Sequence, residues 1–566
     1  MALRDSGDAS QGAATALLRG PEREHTDASL VFIAEIVERV ASFLSPNDVT
    51  CLRLVSKSTA SQFSRHTTLR LSQPVPHWAF TAHWSPSACR RLPLARRRRL
   101  LRLTATSNHV PNLAFAVFSA GCEPPADVLH AALASGALQS AAWLADQGCP
   151  LLGALSAAAG GGRRDACEWC FERGCAWTHE APCAAAAEGH TQLMEWLLQQ
   201  PSRPVQALVL LPSLLASAAR GCPLQALQAL WGGSQHWLLR VEPRRALLPP
   251  AAAASPTPDW RQKVEWLESQ GCPRTEEAAA EVASLCPDAE APGRLAWLRA
   301  RRYPVTPAAV RAAAAAGRAR TLRWLLSEAV RPPDTQASGL AAQGGHLAAL
   351  RELQAARCPM APFSTALLAA SAGSLETLEW LEGVFGAAAL DLGERAVEGG
   401  LRAGSAEVAA WVAARAGEGE VGLRPGLWAA AAEGGSVEAL EWLEGRGCPM
   451  PDDGSPYVVA CRQGDMATLD ALQALGCPLG PAGREGLTLA RAVTALQRRP
   501  LSPLPPLRWL AAALAAAGRR AEWAAARDAA ERHLTDVEAR QAVLTWLDEQ
   551  MDEQAESGGE QGLGPG

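Results

Sequence analysis

The sequence predicts an all-α repeat solenoid built from helix–turn–helix units, with a small helical module at its N-terminal end. Three observations favour this fold class: a tryptophan that recurs in one position, a Gly-Cys-Pro tripeptide that recurs after it, and an amphipathic stretch over 32–44 that does not share the repeat. By length alone, 566 residues would fill about three or four ordinary domains. Internal repetition instead favours one quasi-linear array in which each unit packs on its neighbours.

The recurring tryptophan follows a pattern of small residues, Gly, a short turn and Leu-x-Trp-Leu, seen over 432–443 and 187–197. The pattern predicts two helices joined at the Gly, with the Trp on the second helix. We expect this Trp to be the wide core residue between neighbouring units. Ten of the 19 tryptophans occupy the position: Trp143, Trp169, Trp196, Trp266, Trp297, Trp324, Trp380, Trp411, Trp442 and Trp509.

The tripeptide Gly-Cys-Pro marks the end of many second helices, at 148–150, 271–273, 447–449 and 476–478. Gly permits the left-handed turn that ends a helix, and Pro cannot continue one. The repeats predict an array of about 13 or 14 degenerate units. The predicted organisation is a disordered tail over 1–26, a helical module over 27–72, a linker and N-terminal cap with a basic cluster over 73–102, the array over 103–520, a capping helix over 521–551 and a disordered tail over 552–566.

These units resemble ankyrin repeats of the degenerate, Ala- and Trp-rich type found in green algae. The segment 455–460, Ser-Pro-Tyr-Val-Val-Ala, followed by Gly464, matches the family's opening, and His190 and His346 follow the turn Gly as the family's His does. The Thr-Pro-Leu-His opening is intact in no unit, and Gly-Cys-Pro replaces the family's Gly-Ala. The resemblance implies a non-enzymatic scaffold that binds a protein ligand on its concave or finger face.

The N-terminal module is predicted from a change in pattern. Apolar residues recur at helical spacing from Phe32 to Leu44, and Ser45 and Pro46 then restart a helix with an N-cap hydroxyl and a proline at the first position. Two short helices bury too little apolar surface to be stable alone. We therefore expect the module to pack on the array or on a partner.

The segment 32–48 resembles the F-box motif, and the segment 52–57, Leu-Arg-Leu-Val-Ser-Lys, continues the match. The resemblance implies docking on the SKP-type adaptor of a cullin ubiquitin ligase, with the array presenting the substrate. The family's Leu-Pro opening is replaced here by Phe32-Ile33 and its Trp by Thr59, so a purely structural cap is the alternative. The candidate adaptor-binding residues are Phe32, Ile33, Glu35, Ile36, Val40, Leu44, Pro46, Leu52 and Val55.

One dense set of metal-capable side chains occurs in the sequence, and it has two interpretations. Zinc favours Cys and His ligands, but alignment of the repeats places two of these cysteines in slots that Leu440 and Leu443 fill elsewhere, and a free Cys is a good small core residue. We therefore expect no metal site. The candidates are Cys167, Cys170, Cys175, His179 and Cys183.

An enzymatic alternative comes from family grouping alone. Ankyrin chains of this type are sometimes grouped with sphingomyelin phosphodiesterases, which implies phospholipid hydrolysis at a membrane. That chemistry needs a cluster of carboxylates and His around a metal, and of the 11 His only His77 and His83 lie near each other in the sequence. Neither a G-x-S-x-G nor an H-E-x-x-H motif is present. We expect no catalytic residue, no cofactor and no enzymatic activity.

The basic residues and the net charge limit the kinds of ligand that the sequence predicts. All of the 53 basic residues except Lys57 and Lys263 are Arg, and neither lysine follows the Gly that a phosphate-binding loop requires. A ligase adaptor with two lysines also offers few sites for its own modification. The net charge of -5 predicts that the chain has no nucleic-acid partner. The basic cluster Arg96–Arg99 fits either a nuclear-import signal or a solvated helix that opens the array.

The remaining features predict a monomer of the cytoplasm or the nucleus, which is not secreted. Asp5 stands where a secretory signal carries basic residues, and no apolar core follows it. The most apolar stretch, 205–219, is interrupted by Gln206 and Pro212, so no transmembrane segment is predicted. The 15 cysteines are too sparse for a disulfide scaffold and predict reduced thiols.

Overall fold

The computed structural model of the chain describes residues 34–200, 211–233, 245–332, 334–415, 422–496 and 503–560. Within these ranges every regular element is an α-helix, and most of the helices form consecutive antiparallel pairs stacked side by side. The predicted all-α repeat solenoid is thus confirmed. The predicted tail 1–26 lies outside the described residues, as do Phe32 and Ile33.

The N-terminal module consists of the helices α1 (Ala34–Ala41), α2 (Pro46–Leu52) and α3 (Lys57–Gln62). The Ser45 hydroxyl accepts a hydrogen bond from the Asp48 backbone N–H at 3.2 Å and caps α2, as predicted. The sequence prediction did not include α3, which begins at a reciprocal capping box between Ser56 and Thr59. Two further helices, α4 (His77–His83) and α5 (Pro86–Arg90), connect the module to the array.

The array has an inner and an outer row of helices. Its inner row consists of the first helix of each pair: α6 (Leu94–Thr106), α8 (Ala126–Ser135), α10 (Ala154–Gly160), α12 (Glu180–Ala187), α14 (Leu211–Gly221), α16 (Leu248–Ala253), α18 (Glu277–Leu285), α20 (Pro307–Ala315), α22 (Gln336–Gln343), α24 (Pro362–Ser371), α27 (Glu394–Arg402), α29 (Gly426–Gly434), α31 (Ser455–Gln463), α33 (Leu487–Ala495) and α35 (Trp523–His533). These helices lie closer together than the second helices do, so the array curves around them.

The outer row consists of the second helices: α7 (Val110–Ala120), α9 (Leu138–Asp146), α11 (Arg164–Glu172), α13 (Thr191–Leu198), α15 (Leu224–Gly233), α17 (Trp260–Ser269), α19 (Ala291–Ala300), α21 (Ala319–Ser327), α23 (Leu347–Ala355), α25 (Leu375–Phe385), α28 (Ala406–Arg415), α30 (Val437–Gly445), α32 (Met466–Ala474), α34 (Leu504–Ala516) and α36 (Val537–Glu560). One short helix, α26 (Ala387–Leu390), is inserted between two pairs.

Alanine allows the close approach of the inner helices. Adjacent alanines such as Ala158 with Ala159 and Ala431 with Ala432 are fully buried where one inner helix meets the next. Leucines of the second helices, among them Leu440 and Leu443, fill the space between the two rows. Because each pair buries its apolar stripe only against its neighbours, the array has one continuous core.

The Gly-Cys-Pro segments end the second helices as predicted. Gly447 adopts a φ of +66°, and the Cys448 backbone N–H then donates to the Leu443 carbonyl at 3.0 Å, which closes the helix end. The Cys448 side chain is buried beneath this turn. Arg302 and Arg357 occupy the same slot with positive φ, so the left-handed turn persists where Gly is absent.

The described boundaries differ from the predicted ones at both ends of the array. The array begins at Leu94, inside the segment assigned to a linker and cap. In place of one capping helix over 521–551, a complete pair follows, α35 and α36, and α36 extends to Glu560 in the segment predicted to be disordered. Among the described residues, 14 helix pairs lie in the predicted array, from α6 with α7 to α33 with α34, and α35 with α36 form a fifteenth pair beyond it.

A buried ion pair joins two parts of the array that are 368 residues apart in sequence. The Arg97 guanidinium on α6 donates to both carboxylate oxygens of Asp465, at 2.7 and 2.6 Å, and also to the carbonyls of Ala120 and Gly435. Both side chains are fully buried. Next to them the Ala467 backbone N–H donates to the Gly121 carbonyl at 2.8 Å. The curve of the array thus brings α6 against the turns near Gly435 and Asp465.

Candidate interaction surfaces

The N-terminal module exposes more apolar side chains than it buries. Its own core consists of Val37, Ala41, Val49 and Phe63, with Leu52 packed beside them, and this cluster is separate from the core of the array. The exposed apolar face comprises Ile36 (56% exposed), Val40 (50%), Phe43 (81%), Leu44 (37%), Leu54 (69%) and Val55 (58%). A small module that leaves this many large apolar side chains exposed is typical of an interaction site in a soluble protein.

Most of the described candidate adaptor-binding residues are exposed on this module. Glu35, Ile36, Val40, Leu44, Pro46 and Val55 are exposed, whereas Leu52 is half-buried against the module's core. Phe43 and Leu54 belong to the same exposed apolar set but were not among the candidates. The position of Phe43 could have been inferred, because Ile36, Val40 and Phe43 follow the i, i+4, i+7 spacing of one helical face.

The ten repeated tryptophans lie on the second helices, as predicted, but not in the fully buried core. Each is half-buried, with one edge packed on the core and the other facing solvent. The fully buried position is the next residue, for example Leu443 after Trp442 and Leu298 after Trp297. The expectation that Trp is the wide core residue is therefore corrected: it lies at the outer rim of each unit.

Several of these tryptophans support an arginine four residues later that reaches the preceding unit. The Arg301 guanidinium lies 5.0 Å from the Trp297 ring centroid, and it donates to Glu268 of the previous second helix at 2.6 Å. Trp169, Arg173 and Asp146 form the same arrangement, as do Trp411, Arg415 and Glu382. We call this arrangement the Arg–Trp latch. It combines a cation–π contact with an ion pair between units.

The candidate metal ligands are not assembled into a site. Cys167 and Cys170 are fully buried in the core, and Cys175, His179 and Cys183 are half-buried. Burial raises the pKa of the Cys167 thiol to about 12 and that of Cys183 to about 11, whereas the hydrogen bond with the Cys170 thiol lowers the pKa of Cys175 to about 7. In the part of the chain that the structure describes, no three His, Cys, Asp or Glu side chains are grouped so as to hold a metal ion.

The basic cluster Arg96–Arg99 is split between two environments. Arg97 is fully buried in the ion pair with Asp465, where burial acts to lower its pKa but the Asp465 carboxylate raises it above the ordinary value. Arg98 is half-buried and donates to the Gln463 carbonyl. Arg96 and Arg99 are exposed. Arg97 and Arg98 therefore connect α6 to the segment that contains Gln463 and Asp465.

Comparison with known proteins gives no family for this chain. No protein-family model matches it, and no curated protein does. Among solved structures, it is similar to the pentatricopeptide repeat protein PPR10 in complex with an 18-nt psaJ RNA element, at 12% identity, over 92% of this chain and 97% of that chain, with a TM-score of 0.22. A cysteine-to-serine variant of that protein, also in complex with the RNA element, gives the same values.

These neighbours correct one expectation. Both are complexes of a helical repeat protein with RNA, so the expectation of no nucleic-acid partner, which was drawn from the net charge of -5, is not upheld. A TM-score of 0.22 is too low to indicate what this chain binds. Separately, none of the described helices has both the length and the apolar character needed to cross a bilayer.

Proposed function

We propose that this helical repeat chain is a protein-binding scaffold whose N-terminal module docks on the SKP-type adaptor of a cullin ubiquitin ligase. The observation that carries the proposal is the exposed apolar face of the module, from Ile36 to Val55. A module with four buried core residues that leaves six large apolar side chains in water gains free energy when a partner covers them.

The F-box resemblance supports the choice of an adaptor as that partner. The motif residues Ile36, Val40 and Leu44 are among the exposed apolar side chains. They are therefore available to contact a partner, because the module's own core does not bury them. A purely structural cap would pack these residues on the array, yet the module's core cluster is separate from the array's core.

The array is suited to the second part of the proposal, the presentation of a bound protein. Its helix pairs share one continuous core and are fixed in a curve by the Arg97–Asp465 pair, so they form an extended surface of fixed shape. Repeat surfaces of this kind bind large partners through residues that differ from unit to unit.

The test is a binding titration between the purified chain and a purified SKP-type adaptor in complex with its cullin. We expect the unaltered chain to bind, and the double variant Ile36→Asp, Leu44→Asp to bind at least about tenfold more weakly, because it places two charges in the apolar contact. Phe118→Asp is the matched control: Phe118 is a large apolar residue of the array that is 64% exposed. It should leave the affinity unchanged.

Two results would overturn the proposal. One is an unaltered chain that does not bind the adaptor at all. The other is an equal loss of binding in the module variant and in Phe118→Asp. A parallel titration with a single-stranded RNA oligonucleotide covers the other class of partner, and tight RNA binding without adaptor binding would replace the ligase proposal.

A further inference from the structure

The two lysines of this chain have opposite environments. Lys57 is exposed at the first position of α3, and its ammonium group has no hydrogen-bond or ion-pair partner among the described residues. Lys263 is fully buried on α17. All other basic side chains are Arg, and a guanidinium does not act as a nucleophile because it stays protonated up to a pH above about 12. Only these two side chains could therefore act as lysine nucleophiles on the folded chain.

Lys263 is sealed by its own hydrogen bonds. Its Nζ donates to the Ala219 carbonyl at 2.9 Å, to the Cys222 carbonyl at 2.7 Å and to Ser255 Oγ at 2.9 Å. These three bonds use all three ammonium protons. Burial lowers the pKa of Lys263 to about 8, so the amine loses its proton more readily than usual, but no reagent reaches it without opening the array.

The charge of Lys57, at the N-terminal end of α3, does not stabilise the fold. A cation at the N-terminal end of a helix opposes the helix dipole, and the first turn of α3 has no acidic residue to compensate. Removing the charge is therefore not expected to destabilise the module. Leu54 and Val55, two exposed members of the apolar face, precede it by three and two residues.

We propose that Lys57 is the single lysine of the folded chain that accepts an acyl group from a thioester donor. In this step the neutral Nζ attacks the thioester carbonyl, an amide N–C bond forms, the C–S bond breaks, and the thiolate leaves and takes up the proton that nitrogen releases. Ubiquitin and acetyl groups are both delivered by this chemistry. The choice of ubiquitin as the donor rests on the proposed function above, whereas the choice of Lys57 as the acceptor does not.

The experiment first measures acceptor selectivity with sulfo-N-hydroxysuccinimidyl acetate, followed by peptide mapping of the full chain. We expect Lys57 to react at least about a hundredfold faster than Lys263, because Lys263 requires opening of the array core, and we expect the difference to disappear in denaturing urea. Comparable native rates at the two lysines would overturn the proposal.

The second measurement identifies the donor. The chain is incubated with a reconstituted SKP–cullin ligase and charged ubiquitin-conjugating enzyme, and separately with a lysine acetyltransferase and acetyl-coenzyme A. We expect a conjugate on Lys57 in at least one arm, lost in Lys57→Arg and retained in Lys263→Arg. Modification in the acetyl arm alone would keep the acceptor site and remove the ubiquitin assignment. A Lys57→Arg variant that is still modified at Lys263 in either arm, or no modification of Lys57 in both, would overturn the proposal. Adaptor affinity of the unaltered chain, measured separately, reports on the proposed function.

Discussion

The N-terminal module and the repeat array use apolar residues in opposite ways. In the array, the leucines and alanines of each pair are buried by the neighbouring pairs, and the core is continuous from α6 to α36. In the module, a small separate core leaves Phe43 and Leu54 largely exposed. The difference favours the proposal that a partner covers the apolar face of the module, whereas the array buries its apolar residues by itself.

The two regions also differ in the polar groups that they bury. The array buries charged groups with full hydrogen-bonding partners, as at Arg97 with Asp465 and at Lys263. In the module, the described buried polar side chains are uncharged: the amide of Asn47, which bonds the backbone of Arg70, and the hydroxyl of Thr59, which bonds Ser56. Substitutions should therefore affect folding strongly in the array and weakly on the exposed face of the module.

The largest effect is expected at the buried ion pair. Arg97→Ala or Asp465→Ala leaves the opposite charge buried without its partner, and each should lower the free energy of unfolding by about 3 to 5 kcal/mol. Urea denaturation, followed by circular dichroism, measures this. The double variant Arg97→Met, Asp465→Leu should cost less than either single change because no charge remains.

Arg90→Ala is the matched control for this pair. Arg90, at the end of α5 just before the array, pairs with Asp470 near the same closure, but both side chains are substantially exposed. Exposed pairs contribute about 0 to 1 kcal/mol. An effect of Arg97→Ala as small as that of Arg90→Ala would show that closure of the array adds nothing to its stability.

A second effect is expected in the pH dependence of stability. The pKa of Lys263 is about 8 in the folded chain and 10.5 when unperturbed, so between these values the unfolded chain binds more protons and stability rises with pH. The burial penalty is fully present below pH 8 and fades towards pH 10.5. Relative to Lys263→Met, the unaltered chain should gain about 2 kcal/mol between pH 7 and pH 9.5.

The subtraction from Lys263→Met removes the contributions that other groups make in this pH range. Burial raises the pKa of many Cys thiols, for example that of Cys461 to about 12, and this lowers stability above about pH 9 in both proteins alike. A difference between the two proteins that stays constant with pH would mean that Lys263 is not held in the environment described above.

Local signals allowed much of the fold to be predicted. The two helices of a pair, the Gly turn between them and the Gly-Cys-Pro end are each set by a few adjacent residues, and these predictions agree with the helices described. The helix α3 was missed because its evidence is one capping box with little apolar periodicity. The last helix pair was missed because it lacks the Gly that marks the turn in other units.

Long-range features could not be predicted. The contact between Arg97 and Asp465 depends on the summed curvature of the helix pairs between them, which no local pattern encodes. The position of the tryptophans at the rim is a subtler case. Helical periodicity placed Trp442 on the inward side of its helix, but it could not decide whether Trp442 or Leu443 lies deeper, because that depends on how closely the next unit packs.

A third, smaller effect is expected at the Arg–Trp latches. Arg301→Ala removes both a cation–π contact with Trp297 and ion pairs with Glu265 and Glu268, and it should lower stability by about 1 kcal/mol. Arg446 provides the comparison, because it lies over Trp442 at 5.4 Å but has no acidic partner in the described residues. Arg446→Ala should cost about half as much or less. Thermal denaturation of both variants measures the contribution of the ion pair, and equal shifts would show that this contribution is negligible.

The smallest effect on folding is expected on the exposed face of the module. Phe43 is 81% exposed and outside the module's core, so Phe43→Ser should change the stability of the free chain by less than about 0.5 kcal/mol. Leu443→Ala, in the array core, should cost about 2 to 5 kcal/mol by comparison. Hydrogen exchange of α1 and α2 detects the module separately from the array. If Phe43→Ser destabilised these helices as strongly as Val37→Ala does, the face would be part of the module's own core, and its exposure would no longer indicate a partner.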